Sequence, residues 1–327
     1  MPGQTVRLGV IGCGNIAGSH LRAINEIPQI EIVAAADINE ERAESFAQQA
    51  GAKAHFTDWR EMLQEVELDA IDQCTPHTLH LEPTVAAAER GIHVFTEKPM
   101  ATELTECDAM IAACEDAGVV LMVGQVLRFR DPHTEARRLI DDGRIGEVTH
   151  VIRRRWGFTK ESSMQPWSVN PDLAGSWVLY GFGSHAADLV LWITRSEAHR
   201  VFAMARQTNP IWDDVDDIDM QYELSNGAIA LQSHSMNSRQ RAWDLSVIGT
   251  EDSLHINGET IICGDEEITV PLQEYGGMKE QLTEFADAIT EGREPEASGR
   301  DCRRTYALLE AARISMRTGQ IVDPREL

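Results

Sequence analysis

Short apolar runs alternate with longer segments of helical periodicity in the first part of the chain. The runs at 6–11 and 31–36 are rich in Val, Ile and Ala, which predicts strands buried on both faces of a sheet. Further strands are predicted at 54–56, 70–74, 93–96 and 119–123, and helices at 39–50, 58–65, 80–90 and 102–117. Strands that alternate with helices predict a parallel, doubly wound sheet with right-handed crossovers.

The pattern changes after residue 124. A helix is predicted at 132–142, a strand at 148–156, and a turn-rich segment followed by a helix within 170–193. Strand-like runs then follow at 199–206, 218–224, 228–235, 243–248, 253–256, 260–263 and 267–270, before closing helices at 278–289 and 301–318. Asn226-Gly227 is a hairpin signal between two of these strands. We therefore predict two domains, 1–124 and 125–327, the second with a mostly antiparallel sheet, and the C-terminal helix is a candidate to return to the first.

Composition excludes several classes of protein. The 327 residues are 43% hydrophobic and 25% charged, and no apolar run reaches the roughly 20 residues that span a bilayer. No signal peptide is indicated, and the six cysteines are scattered without a C-x-x-C pair, so we expect reduced thiols in a cytoplasmic protein with no membrane partner. A formal net charge of -24 argues against a nucleic-acid partner, because nothing would neutralise the phosphates.

The first predicted strand ends in a glycine-rich turn. Gly12 and Gly14 stand in G-x-G-x-x-A, which is followed by a predicted helix that begins near Asn15 and Ile16. The first glycine permits a tight turn, the second lets the backbone approach a pyrophosphate, and the helix N-terminus favours the anion. Asp37 ends the second strand, where its carboxylate can bond both ribose hydroxyls and repel the extra phosphate of NADP. The unit is predicted to bind NAD in preference to NADP.

Other polar residues follow the later strands, where ligands of doubly wound sheets bind. They are Thr75 and His77, with Pro76 between them, after the fourth strand, Glu97 and Lys98 after the fifth, and Gln125 after the sixth.

Three motifs occur in order with the dinucleotide turn: C-T-P-H at 74–77, E-K-P at 97–99 and G-x-H-x-x-D at 183–188. Together they resemble the Gfo/Idh/MocA oxidoreductase family, and the resemblance covers essentially the whole chain. It implies an α/β protein with an N-terminal Rossmann domain and a C-terminal α+β domain with an open-faced sheet. It also implies a nicotinamide cofactor and hydride transfer at a carbon of a sugar, polyol or related compound.

The resemblance assigns roles to single residues. Lys98 matches the lysine of E-K-P, which can bond the hydroxyl being oxidised and move its proton, and the resemblance implies a cis bond before Pro99. Thr75, Pro76, His77 and His80 match the loop that lines the cofactor. His77 stands where asparagine is commoner, and a solvent-facing histidine is the alternative there. His185 matches the substrate-side histidine and suits acid–base work, because imidazole titrates near neutral pH.

One departure from the family's pattern concerns the aspartate four residues before His185, which usually shares the proton-transfer network. Gly181 stands in its place. The family's glycines upstream are partly replaced by Ser176 and Trp177, and Trp177 is interpreted equally as an aromatic wall of the site or as core packing.

The predicted substrate-side residues are Arg128, Trp156, Trp167 and Asp188; a structural role is the alternative for Asp188. At 153–155 three arginines alternate along a strand, so at least one should face the cleft, where it would suit a carboxylated or phosphorylated substrate. Ion pairs with the many acids are the favoured interpretation. The acidic run 213–217 lacks metal-loop spacing and is interpreted as a solvated loop, and no metal site is predicted.

Three functions remain open at this point. The first is an NAD-dependent sugar or polyol dehydrogenase in which Lys98 and His185 handle the hydroxyl proton. The second is a lyase or glycoside hydrolase that keeps NAD bound and oxidises its substrate only transiently, which the missing aspartate makes worth considering. The third is a non-catalytic sugar or nucleotide sensor, against which the retention of both residues argues. The exposed face of the second sheet predicts a homodimer or homotetramer.

Overall fold

The computed structural model describes residues 5–160, 164–212 and 214–327. The chain forms two compact units, one of Met1–Val126 with Tyr275–Cys302 and the other of Leu127–Glu274 with Arg303–Leu327. Unlike the predicted division after residue 124, the segment Tyr275–Cys302 groups with the first unit, because its helix packs on the first helix of the chain.

The first unit is built on a six-stranded sheet in the order β3-β2-β1-β4-β5-β6, in which every neighbouring pair is parallel. Its strands are β1 (Val6–Ile11), β2 (Ile30–Ala36), β3 (Ala54–Phe56), β4 (Ala70–Gln73), β5 (His93–Thr96) and β6 (Leu121–Val123). Its helices are α1 (Asn15–Ile24), α2 (Glu40–Ala50), α3 (Trp59–Glu65), α4 (Leu81–Ala88), α5 (Leu104–Ala117) and α9 (Met278–Glu291). The predicted doubly wound parallel sheet is confirmed.

Local signals set the ends of these helices. The side chain of Asn39 accepts a hydrogen bond from Arg42 N at 2.9 Å and so begins α2. Gly51 ends the same helix with φ +70°, a conformation that favours glycine.

The returning segment completes the core and the edge of the first unit. Helix α9 packs against α1, and its Phe285 meets Phe95 of β5 with ring centroids 5.6 Å apart. Beyond α9, Val123 N donates to Ala297 O at 2.9 Å and an isolated bridge joins Met122 to Ser298, so β6 is not an open edge.

The second unit carries an eight-stranded sheet in the order β14-β13-β12-β11-β7-β10-β9-β8. Its strands are β7 (Val148–Phe158), β8 (Ala198–Arg206), β9 (Asp217–Leu224), β10 (Ile229–Ser235), β11 (Asn237–Gly249), β12 (Ser253–Asn257), β13 (Thr260–Cys263) and β14 (Glu266–Thr269). Its helices are α6 (Asp131–Asp141), α7 (Pro171–Ala174), α8 (Ser184–Ile193) and most of α10 (Gly299–Thr318). Only β7 and β10 pair in parallel, and the hairpin predicted at Asn226-Gly227 is confirmed.

A π-helical turn, Trp177–Gly183, leads directly into α8. The sequence predicted only a turn-rich segment here, since three aromatic residues and two glycines follow no simple period.

The two faces of the second sheet differ. Helix α8 packs on β7 and β10 from one side, where Val151, Ala230 and Leu245 are fully buried. We call this side the covered face. Register places five exposed apolar side chains on the other side, which we call the open face: Phe202, Met204, Ile229, Ile248 and Ile262.

The described residues include no helix whose length and apolar character would let it cross a membrane. All six cysteines are buried and none forms a disulfide in the structure.

Candidate active site

The glycine turn after β1 requires glycine at its first position and leaves space beside its second. Gly12 has φ +90°, and a Cβ there would lie 2.8 Å from the backbone oxygen of Cys74, so only glycine fits. A Cβ on Gly14 would meet nothing within 4 Å, and no side chain in the described part of the chain caps the start of α1 there. The helix therefore begins without a side-chain cap beside an open position at Gly14, and a helix N-terminus of this kind favours an anion. Asn15 and Ile16 form its first two positions.

Asp37 follows β2 at the same edge of the sheet. Its carboxylate accepts hydrogen bonds from Cys13 N at 2.9 Å and from Asn39 N at 2.8 Å. These bonds fix the carboxylate beside the glycine turn. Arg42 Nε lies 3.7 Å from Asp37 Oδ1, and the Arg42 side chain is mostly exposed.

The loop after β4 is tied to the segment after β5 by a histidine. His80 is fully buried, with Nδ1 2.8 Å from Pro99 O and Nε2 3.0 Å from Thr75 O. Burial lowers the pKa of His80. The ring thus supports the loop at Thr75 from within, and a contact of His80 with the cofactor stays a prediction.

Two further predicted cofactor residues lie at this edge. His77 is 4% exposed, so the solvent-facing alternative for it is wrong. Gln125, just after β6, is fully buried.

Lys98 is half-buried directly after β5, and its peptide bond to Pro99 is cis, as predicted. Glu97 holds the backbone here, because its Oε2 accepts from Lys98 N at 3.1 Å. A Cβ on Gly124 would lie 2.7 Å from Glu97 Oε1, so the neighbouring strand end leaves space for this carboxylate.

Glu97 belongs to a buried charge network that the sequence analysis missed. His20 of α1 bonds Asp72 Oδ2 through Nδ1 at 2.8 Å and Glu97 Oε1 through Nε2 at 3.1 Å. Burial alone would lower the pKa of His20, but the charge of Asp72 and the hydrogen bond with it raise that pKa well above the usual value. Atoms of His20, Asp72 and Cys74 lie within 4.8 Å of one another, a spacing at which a metal ion could be held. Because both ring nitrogens of His20 are bonded to carboxylates, we interpret the group as an ion-pair network that positions Glu97. The available signal was Asp72 itself, a charge inside a buried apolar strand.

His185 lies in the first turn of α8 in the second unit and is half-buried. An aromatic cluster precedes it along the chain. Trp177 packs edge-on against Trp167, with centroids 5.4 Å apart, and against Phe182 at 5.9 Å. Both tryptophans are half-buried, so they form a partly accessible aromatic wall rather than a sealed core.

Gly181 and Trp177 are linked by their packing. A Cβ at position 181 would lie 3.0 Å from Trp177 Cδ2 and 3.2 Å from two further indole atoms. The indole therefore occupies the space that an aspartate at 181 would need.

Two predicted substrate-binding residues are bound to each other instead. Arg128 donates to both carboxylate oxygens of Asp188, at 2.8 and 2.6 Å, and both side chains are 1% exposed. Thr305 Oγ1 also donates to Asp188 Oδ1 at 3.2 Å. A buried bidentate pair of this kind fits the structural alternative given for Asp188, and its place below the first turn of α8 suits it to hold that helix.

The three consecutive arginines of β7 divide between the two faces. Arg154 lies on the open face and donates through Nε to Asp244 at 2.9 Å. Arg153 and Arg155 lie on the covered face, and neither is bound to an acid in the described residues. The favoured interpretation, ion pairs with acids, is therefore correct for Arg154 and wrong for its two neighbours.

Trp156 shares the open face with Arg154, where its indole donates to Ser233 Oγ at 2.9 Å. The strand alternation turns it away from α8, because consecutive residues of a strand point to opposite faces.

The acidic run 213–217 is not a solvated loop throughout. Asp216 is fully buried and accepts hydrogen bonds from Thr208 N at 3.0 Å and Asn209 N at 2.6 Å. Asp217 begins β9, and Asp213 lies outside the described residues.

A parallel sheet with an anion-binding glycine turn, followed by a second sheet unit with a histidine-led helix, defines a dinucleotide-dependent class of oxidoreductase. The chain belongs to the Gfo/Idh/MocA oxidoreductase family. The model of that family's NAD-binding Rossmann fold matches residues 6–125, and the model of its C-terminal domain matches residues 133–255. The first unit is therefore an NAD-binding Rossmann domain.

Individual relatives cover nearly the whole chain. D-apiose dehydrogenase of Paraburkholderia graminis is 27% identical over 97% of this chain and 89% of its own length. 4-Carboxy-2-hydroxymuconate-6-semialdehyde dehydrogenase of a Sphingobium species is 26% identical over 93% and 98%. A crystal structure of an oxidoreductase from Agrobacterium radiobacter in complex with NAD+, L-tartaric acid and magnesium superposes with a TM-score of 0.92 over 99% of both chains; at 21% identity it shows the fold alone.

Proposed function

We propose that this protein oxidises a CH–OH group of a sugar, polyol or derivative and passes the hydride to NAD. The observation that carries this proposal is the shared sheet edge at which the glycine turn, Asp37 and Lys98 lie. The relatives support the reaction class but not one substrate, since their names specify both a sugar and a carboxylated semialdehyde.

Residues of the first unit would hold the cofactor. The open N-terminus of α1 beyond Gly14 would bind the pyrophosphate, and Asp37 would bond the ribose hydroxyls. When bound, NAD supplies the hydride acceptor. In this proposal Lys98 bonds the reacting hydroxyl and takes part in removing its proton, and Glu97 fixes the backbone that presents it.

In the second unit, His185 shares the proton work, and Trp167 and Trp177 offer aromatic faces to the C–H side of a sugar. Arg128 and Asp188 act as positioning residues beneath α8 rather than as ligands, because both are buried in their mutual ion pair. We do not retain Trp156 as a substrate residue, since it lies on the open face.

The substitution Lys98→Met tests the central assignment. Loss of a general acid–base group should lower kcat roughly 10²- to 10⁴-fold while NADH still binds. Lys53→Met, at an exposed lysine of the same unit, is the matched control and should keep full activity. A Lys98→Met enzyme with near-normal kcat would contradict the assignment.

The preference for NAD over NADP is proposed from Asp37. Asp37→Ser should remove the repulsion of the extra phosphate and leave the exposed Arg42 to pair with it, so that kcat/KM with NADP rises relative to NAD. Adding Arg42→Ala should abolish that gain. No change in the ratio of kcat/KM values would show that Asp37 does not set the preference.

A second function has one observation in its favour. Because the Trp177 indole fills the space of the missing aspartate, the proton network differs from the one the family resemblance implies. The alternative is a lyase or hydrolase in which NAD is reduced and reoxidised within each turnover.

One experiment separates the two functions. The protein, NAD and a panel of sugars, polyols and glycosides are combined, and NADH absorbance and substrate loss by NMR are followed in the same tubes. NADH that rises in step with substrate loss supports the dehydrogenase. Substrate loss without NADH supports the internal redox cycle.

We further propose that the open face pairs two copies of the chain. Five apolar side chains are exposed on this face, and exposed apolar surface of this kind marks interfaces. Met204→Lys with Ile229→Lys should reduce the mass measured by light scattering to that of one chain. Ile38→Lys, at a 92% exposed position of the first unit, should leave the mass unchanged. A wild-type mass of one chain would refute the pairing.

A further inference from the structure

Two arginines of β7 lie on the covered face, and neither forms an ion pair with an acid in the part of the chain that the structure describes. Arg153 is 2% exposed and Arg155 is half-buried. Within 5–160, 164–212 and 214–327, no residue accepts a hydrogen bond from the buried Nε of either. Asp244, whose charge acts on Arg153, is bound by Arg154 on the opposite face.

The neighbours of these arginines do not supply the missing negative charge. Register places Gln232 beside Arg153 and His234 beside Arg155, and both neighbours are buried. Burial and the charges of the two arginines lower the pKa of His234 to about 3, so this ring is neutral at pH 7. Burial lowers the pKa of Arg153 and of Arg155 to about 10, which leaves both as cations.

The pair lies beside the segment that carries His185. The guanidinium carbon of Arg155 is 3.3 Å from the ring centroid of Phe182, three residues before His185. It is also 5.2 Å from the ring of Trp243, which is 54% exposed. The cationic pair is therefore next to the aromatic wall and near a surface that solvent reaches.

A buried cation is costly unless an anion pairs with it. The planar guanidinium fork matches the geometry of a carboxylate or phosphate, to which it can donate two parallel hydrogen bonds. A site of two such forks that lacks a protein carboxylate has the chemistry of an anion-binding site.

We propose that Arg153 and Arg155 bind an anionic group of the substrate, so that the protein acts on a sugar or polyol derivative bearing a carboxylate. The reaction of this substrate rests on the proposed function, whereas the anion-binding site does not. A phosphate would present the same negative charge, and the test separates the two sources.

The binding test uses three probes that differ only at C6: D-glucose, D-glucuronate and D-glucose 6-phosphate. Their dissociation constants for the NADH-loaded protein are measured by titration calorimetry. A charge-assisted contact should make glucuronate bind roughly ten- to hundredfold more tightly than glucose. Arg153→Met and Arg155→Met should each abolish that advantage. Arg154→Met is the matched control on the same strand and should preserve it.

The melting temperature of the ligand-free protein gives a second, independent readout. Removing an unpaired buried charge should raise it, so Arg153→Met should melt higher than wild type, whereas Arg154→Met should melt lower because it breaks an ion pair. If Arg153 had a structural role instead, Arg153→Met would melt at a lower temperature than wild type.

The outcomes separate this inference from the proposed function. Equal affinity for glucose and glucuronate, no binding of either anion, or a lower melting temperature for Arg153→Met would each overturn the anion site. If glucose 6-phosphate binds more tightly than glucuronate, the anion site would be supported, and its ligand would be a phosphate rather than a carboxylate. If glucuronate binds through the arginines but no sugar acid reduces NAD to NADH, the anion site would be supported and the proposed dehydrogenase activity contradicted.

Discussion

The buried pair of Arg128 and Asp188 makes a sharp prediction about two residues that the sequence analysis placed on the substrate side, with a structural role as the alternative for Asp188. Asp188→Asn preserves the size of the side chain and an oxygen that can accept from Thr305, but it removes the charge opposite Arg128. Because both side chains are 1% exposed, the arginine would lose the carboxylate charge that it faces in a place shielded from water. Breaking one partner of such a pair costs about 3–5 kcal/mol. At roughly 2–4 °C per kcal/mol, the melting temperature should fall by roughly 6–20 °C.

The assay is urea unfolding followed by tryptophan fluorescence, together with steady-state kinetics below the melting temperature. The double variant Arg128→Met with Asp188→Leu should recover most of the lost free energy of unfolding, because an apolar pair replaces the ionic one. KM should change little in whichever variant remains folded. If Asp188→Asn instead left the free energy of unfolding within about 1 kcal/mol of wild type and raised KM, Asp188 would be a substrate ligand and our assignment would be refuted.

Three further predictions concern the glycine turn and two buried histidines. Gly12→Ala should cost roughly 2–6 kcal/mol of unfolding free energy, from positive φ and the contact with Cys74, whereas Gly14→Ala should leave stability unchanged and weaken NADH binding measured by fluorescence titration. Burial lowers the pKa of His133 to about 3, so the unfolded state binds more protons than the folded state between about pH 6.5 and pH 3. In that range wild type should lose roughly 1.4 kcal/mol per pH unit that His133→Asn does not lose. The pKa of His20 is raised, so the stability that wild type has over His20→Gln should be full below pH 6.5 and shrink as pH rises through the folded-state pKa; a difference independent of pH would contradict this.

The first unit was largely predictable because its signals are local. Apolar runs of three to six residues that alternate with helices of clear start and stop leave few topologies, and the glycine turn marks the ligand edge by itself. The sequence did not show that 275–302 belongs to the first unit, because the amphipathic pattern of a helix does not indicate which sheet it will cover.

The candidate site was predictable in its motifs and less so in its pairings. Lys98 and His185 follow from short patterns, but the partners of Asp188 and of the β7 arginines lie far away in sequence: Arg128 is 60 residues from Asp188, and Asp244 is 90 residues from Arg154. Strand alternation alone established that neighbouring arginines face opposite ways. It could not show that Asp244 would bind Arg154 on the open face while Arg153 and Arg155 on the covered face have no acid bound to them among the described residues.

The late return of 275–302 also has a consequence for synthesis of the chain on the ribosome. Val126 emerges well before Ala297 and Ser298, which cover β6, and before Phe285, which packs on Phe95. At about 5–20 residues per second, the nascent nucleotide-binding unit would wait roughly 10–35 s with an open strand edge and an unfilled core. During that interval the first unit is incomplete although all six of its strands have been made, and it can reach its final packing only after residue 302 has been synthesised.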